Sequence, residues 1–125
     1  MERLNTIQKV EKLNEVLILD EKGNGGANHK YAINSLEKDY NGIPLYFSTT
    51  IQLQNGARKL EDSIHGVIDT DLLEIVRHRL QCFQKGDFAT DDNARALEHI
   101  EIALMYMNKR VMDRYERNVL GTNEK

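Results

Sequence analysis

Tyr106, Arg110, Arg114 and Arg117 fall at i, i+4, i+8 and i+11, a spacing that lays side chains along one face of a helix. Like charges four apart cost a helix roughly 0.2–0.5 kcal/mol per pair. In a chain of net charge -3, such a row points to something that neutralises it. Guanidinium groups beside an aromatic ring suit phosphates, through bidentate hydrogen bonds, and bases, through flat stacking. The spacing also admits a second reading, a solvated face favoured by the helix dipole in which Asp113 pairs with Arg117.

A second group, Phe83, Gln84, Phe88 and Asn93, surrounds a helix break. Phe83 serves either as core or as a stacking platform, and Phe88 is expected in the core. Asn93 falls in the first turn of the next helix, where unpaired N–H groups face outward. Asn93 and Arg110 are 17 residues apart, which on one helix is about 25 Å. A small ligand cannot bridge that distance within one chain. If both groups serve one pocket, they come from different protomers. That arrangement predicts antiparallel helices across a dimer, with two sites related by a twofold axis.

Other patterns carry less. Gly23-Asn24-Gly25-Gly26 follows a strand, but it lacks a Gly-Lys-Ser/Thr ending and precedes another strand, so a β-hairpin turn is expected there. His78 and Cys82 share a helix face, while His29, His65 and His99 stand at no ligand spacing, so no metal site is expected. No nucleophile elbow or Ser/His/Asp set is present, and the acids near Asp69 and Asp91 read as helix caps. Neither catalysis nor a cofactor is expected.

The elements that must hold these residues divide the chain in two. After a short amphipathic start (Ile7, Val10, Leu13), residues 15–19, 30–34 and 45–53 read as three short strands, the last rich in Tyr, Phe, Thr and Ile. Such a sheet needs a cover on one face. Thr70 or Asp69 is expected to cap a helix carrying Leu72, Leu73, Ile75, Val76, Leu80 and Phe83, which Lys85-Gly86-Asp87 stops. Thr90 or Asp91 caps the next, in which Ala96, Leu97, Ile100, Ala103, Leu104, Met107 and Val111 recur at helical spacing. The expected class is α+β: a small antiparallel β-sheet in the N-terminal half (1–66), then an antiparallel helical hairpin (67–125) that dimerises and binds ligand.

The 125 residues are 40% hydrophobic, 30% charged and only 6% aromatic, without Trp, which suits a small domain that gains stability by oligomerising. The acidic balance argues against wrapping nucleic acid. The single Cys82 excludes an intrachain disulfide. The start has no leader-like run, and no stretch approaches the ~20 apolar residues of a membrane span, so a cytoplasmic location is expected.

The run Ile51-Gln52-Leu53-Gln54-Asn55-Gly56, residues 66–80, the bend Phe83-Gln84-Lys85-Gly86-Asp87-Phe88, Asn93-Ala94, Ala96-Leu97, Asn108-Lys109-Arg110 with Arg114, and Leu120-Gly121-Thr122 together resemble two related families. These are the phage Thoeris anti-defence sponges and the anti-CBASS sponges, which share a helical hairpin. The strand-rich first half resembles the Thoeris type. The resemblance implies a non-enzymatic sponge acting in the bacterial host cytoplasm. It would sequester the cyclic ADP-ribose isomer made by TIR-domain proteins. For some members it also implies cyclic trinucleotides at a second site on a hexamer, a trimer of dimers. Carried over by motif, Phe83 and Arg110 would sandwich the adenine, Arg114 would meet phosphate and Asn93 would hydrogen-bond the ligand. Arg58, Arg117, Gly121 and Thr122 are further ligand candidates, the last three for the second site. Leu53 and Val111-Met112 depart from the family pattern, which bears on ligand preference. The reading from another class is a protein-interaction module that uses the arginine face against an acidic partner.

Overall fold

The computed structural model describes all 125 residues. Four strands form an antiparallel sheet in sequential order: β1 (Glu2–Arg3), β2 (Asn14–Ile18), β3 (Lys30–Ser35) and β4 (Ser48–Gln52). Two helices follow, α1 (Asp69–Gln84) and α2 (Asp91–Glu116). The class is α+β. The contacts divide the chain into two units, Met1–Gly56 with Asp62–Gly66, and Ala57–Glu61 with Val67–Lys125.

In the first unit β2 and β3 fall on the runs expected as strands at 15–19 and 30–34. Their register places Leu17 opposite Ala32, and these are the two buried apolar residues of the chain. The β2–β3 turn contains a 3₁₀ turn at Asn24–Gly26, with Gly25 and Gly26 at φ 71° and 75°, which only glycine adopts freely. The glycine run is therefore a hairpin turn. Asp20 closes the base of the hairpin, its carboxylate accepting from the N–H groups of His29 (2.9 Å) and Lys30 (3.3 Å). Burial works against the charge on Asp20, but these N–H groups outweigh it and hold the carboxyl below its ordinary range.

Two N-terminal expectations change. In the amphipathic start Ile7 and Val10 are 101% and 74% exposed, so neither serves as an apolar anchor. The Gln8 carboxamide donates to the carbonyls of Val10 and Glu11, and Glu11 sits at φ 55°, so the segment cannot run on as a helix. In its place Glu2–Arg3 adds a fourth strand, with Arg3 paired to Glu15 at 2.7 Å. The strand expected over 45–53 shortens to Ser48–Gln52. Upstream, Asp39 accepts from the N–H groups of Asn41 and Ile43, and Lys38 bridges Pro44, a local turn that interrupts the ladder.

In the second unit α1 is capped one residue before Asp69 and two before Thr70, the expected caps. Ile68 is the N-cap, and Asp71 accepts its N–H at 3.0 Å. Thr90 caps α2 as expected, its Oγ1 accepting from the Asn93 N–H at 3.0 Å. The helices form a hairpin tied at mid-length by Arg77 Nε to Glu101 at 2.9 Å. The seam holds Leu72, Leu73, Leu80, Leu97, Ile100, Ala103, Leu104 and Met107, all half-buried, and neither helix has a fully buried residue. Met105 and Tyr115, by contrast, are 70% and 66% exposed. No helix is long and apolar enough to cross a membrane.

Candidate ligand-binding site

Every residue singled out for ligand binding lies in the second unit, including Arg58, which belongs to the segment packed with the helices. These residues gather at the two ends of the hairpin.

At the bend, Phe83 is in the last turn of α1 and Asn93 in the first turn of α2. Gln84 connects them. Its Nε2 donates to the Thr90 carbonyl and its Oε1 accepts from the Thr90 N–H, each at 3.2 Å. Thr90 in turn accepts from the Asn93 N–H. This relay fixes a loop of five residues and sets the first turn of α2 against the end of α1. The Arg79 guanidinium lies 5.4 Å over the Phe83 ring, a cation–π contact on one face. Arg79 was not among the expected site residues, although its i, i+4 spacing to Phe83 carries the signal. Phe88, expected in the core, is 77% exposed instead, because it lies in the loop beyond the helix seam.

At the other end the arginine row separates into three environments. Arg110 is exposed and makes no ion pair or hydrogen bond. Arg117 is the C-cap of α2 and pairs with Asp113 at 3.1 Å, the contact foreseen in the solvated-face reading. Arg114 is half-buried, and its guanidinium donates to main-chain carbonyls of the residues after the helix, Val119 at 3.1 Å and Thr122 at 3.0 Å. Gly121 packs against Arg58, and its carbonyl accepts from the Lys59 N–H at 3.0 Å. Arg58, Arg114, Gly121 and Thr122 are therefore brought into one neighbourhood.

The two ends are joined by one uninterrupted helix, so Asn93 and Arg110 are separated along its axis by the roughly 25 Å that 17 residues span. A single protomer does not bring Phe83 and Arg110 together. Between the ends, Ile68, Glu74, Arg77, Glu101, Met105 and Asn108 line a groove of about 730 Å³. His78 Nε2 stands 3.8 Å from Cys82 Sγ, and no third ligating side chain joins them.

Residues 49–112 match the family model of the Acb2/Tad1 hairpin domain. This stretch takes in β4 from its second residue, both caps, Phe83, Asn93 and Arg110, and stops short of Arg114. Over 103 residues the chain is 38% identical to "Thoeris anti-defense 1" of Bacillus phage SBSphiJ7, a match covering 82% of this chain and 66% of that protein. The chain thus spans a little under two thirds of the length of that relative. A strand-led helical hairpin with this family's model across its helices and this relative across four fifths of its length belongs to the Acb2/Tad1 hairpin family, on its Thoeris anti-defence side.

Proposed function

We propose that this protein is a phage anti-defence sponge that binds and sequesters, without cleaving it, a cyclic ADP-ribose isomer made by TIR-domain proteins of the host. The observation that carries the reading is Arg110, a solvent-facing cation without a protein partner, standing on the family's hairpin 17 residues from Asn93. In a dimer with antiparallel packing, Arg110 of one protomer reaches the bend of the other. Adenine then lies between that guanidinium and the face of Phe83 that Arg79 leaves open, and Asn93 donates or accepts at the edge of the ligand. Arg114 meets a phosphate. Apolar surface left exposed on α2 at Met105 and Tyr115 supports a second copy as the cover. Arg117, Gly121 and Thr122 are the candidate second site for cyclic trinucleotides in a hexamer built as a trimer of dimers, with Arg58, a further ligand candidate, beside Gly121.

Sequestration needs mass action alone. Nanomolar affinity corresponds to about -12 kcal/mol, toward which a phosphate on the Arg114 guanidinium and a base stacked in a closed pocket both contribute. Titration calorimetry of the wild-type chain with cyclic ADP-ribose isomers should show saturable heat, and denaturing the complex should release the intact molecule. A hydrolysed product would make the protein an enzyme. No heat with any isomer would favour a protein-interaction module.

A further inference from the structure

The residues that follow α2 are arranged around one side chain. Arg114 Nη2 donates to the carbonyls of Val119 and Thr122, and Nη1 donates to that of Glu124. Three of the five guanidinium N–H groups are thereby engaged with main chain, while Nε–H and one Nη1 hydrogen stay available. The path of the chain is specialised for this. Asn118 and Gly121 take left-handed backbone at φ 59° and 79°. The Val119 N–H returns to the Arg114 carbonyl at 2.9 Å. A Cβ at position 121 would stand 2.9 Å from Arg58 Nε and 3.1 Å from Lys59 Cγ, and the left-handed φ there favours glycine besides. Lysine could not replace Arg114 here, because three donors on one nitrogen cannot span carbonyls spread over residues 119–124.

We propose that residues 118–124 are a positioning segment for Arg114: the carbonyl trio fixes the guanidinium so that its unengaged Nε–H is presented as a single donor to a ligand phosphate. This rests on the ligand reading above and extends it to a stretch outside the matched hairpin. The segment orients the arginine before the ligand arrives, so less side-chain freedom is lost on binding. Arg114 in turn holds the segment on Arg58 and Lys59, which makes the two interdependent.

The test uses full-length chains carrying Arg114→Lys, Asn118→Val or Asn118→Gly. A β-branched residue resists left-handed backbone, whereas glycine adopts it freely. Without ligand, hydrogen exchange at the Val119 and Thr122 amides should be faster in Arg114→Lys and Asn118→Val and unchanged in Asn118→Gly. With a cyclic ADP-ribose isomer, the first two should bind about tenfold more weakly, the scale of one lost charge-assisted hydrogen bond, mainly through faster dissociation, while Asn118→Gly binds as wild type. Wild-type affinity in Arg114→Lys, or in Asn118→Val with its amides deprotected, would overturn the proposal. Unchanged exchange in Arg114→Lys would overturn the brace whatever the ligand. If wild type binds no isomer, the sponge reading and the ligand half of this one fall together, and exchange still decides the brace.

Discussion

The arginine row shows how one spacing produces three different side chains. Arg110, Arg114 and Arg117 share a helical face, yet one faces solvent unpaired, one holds the chain that follows the helix, and one pairs with Asp113. An ion pair between exposed groups is worth about 0–1 kcal/mol, so the Arg117–Asp113 contact is compatible with either reading of the row. Arg110 decides between them. Arg110→Ala should weaken ligand capture in calorimetry, raising the dissociation constant about tenfold or more, the scale of a desolvated cation–π stack. The same variant should unfold within a degree or two of wild type, because surface substitutions usually stay within about 0.5 kcal/mol. A large drop in Tm would give Arg110 a structural role and end the reading.

At the scale of elements, the bend is held by polar contacts instead of apolar packing. Gln84 and Thr90 together link α1, the loop and the first turn of α2, and the cap hydrogen bond is the last link before Asn93. Thr90→Ala should cost about 1 kcal/mol, the usual worth of such a cap, and lower Tm by a few degrees. Because Asn93 stands in the turn that the cap organises, ligand should also dissociate faster, whereas Thr90→Ser, which keeps the hydroxyl, should match wild type on both counts. Equal Tm values for the Ala and Ser variants would show the cap to be idle. Sequence made this element legible: Thr90 before two acids is a helix start by composition alone. The start of α1 was less so, since Asp71 reaches back to the Ile68 N–H while Ile68 itself has no capping oxygen.

At the scale of the molecule, the isolated protomer buries few side chains, with Leu17, Ala32 and His29 the three buried residues. A hairpin whose core is a single half-buried seam, and which exposes Met105 and Tyr115, is suited to assembly with a second copy. The dimer reading has a direct test. Phe83→Ala and Arg110→Ala chains, each weakened alone, should regain capture when subunits are exchanged, because each mixed dimer contains one pocket with both native residues. Random exchange should restore about one site in four. No recovery in dimers shown to have mixed would place Phe83 and Arg110 in separate pockets.

The local code determined the hairpin turn at Gly25–Gly26, strands β2 and β3, the cap at Thr90 and the helical phase of the arginine row, because each depends on residues within a few positions of one another. It misjudged segments whose fate depends on what they meet. Ile7 and Val10 form an amphipathic start by spacing, yet both side chains stand exposed. Phe88 has the chemistry of a core residue but occupies a loop beyond the seam. The spacing likewise left Arg110, Arg114 and Arg117 equivalent, because a repeat of 3.6 residues states which way a side chain points and nothing about what waits there. Only the tertiary structure, by turning the chain back at Asn118 and seating Gly121 on Arg58, brought carbonyls to Arg114 and left Arg110 free.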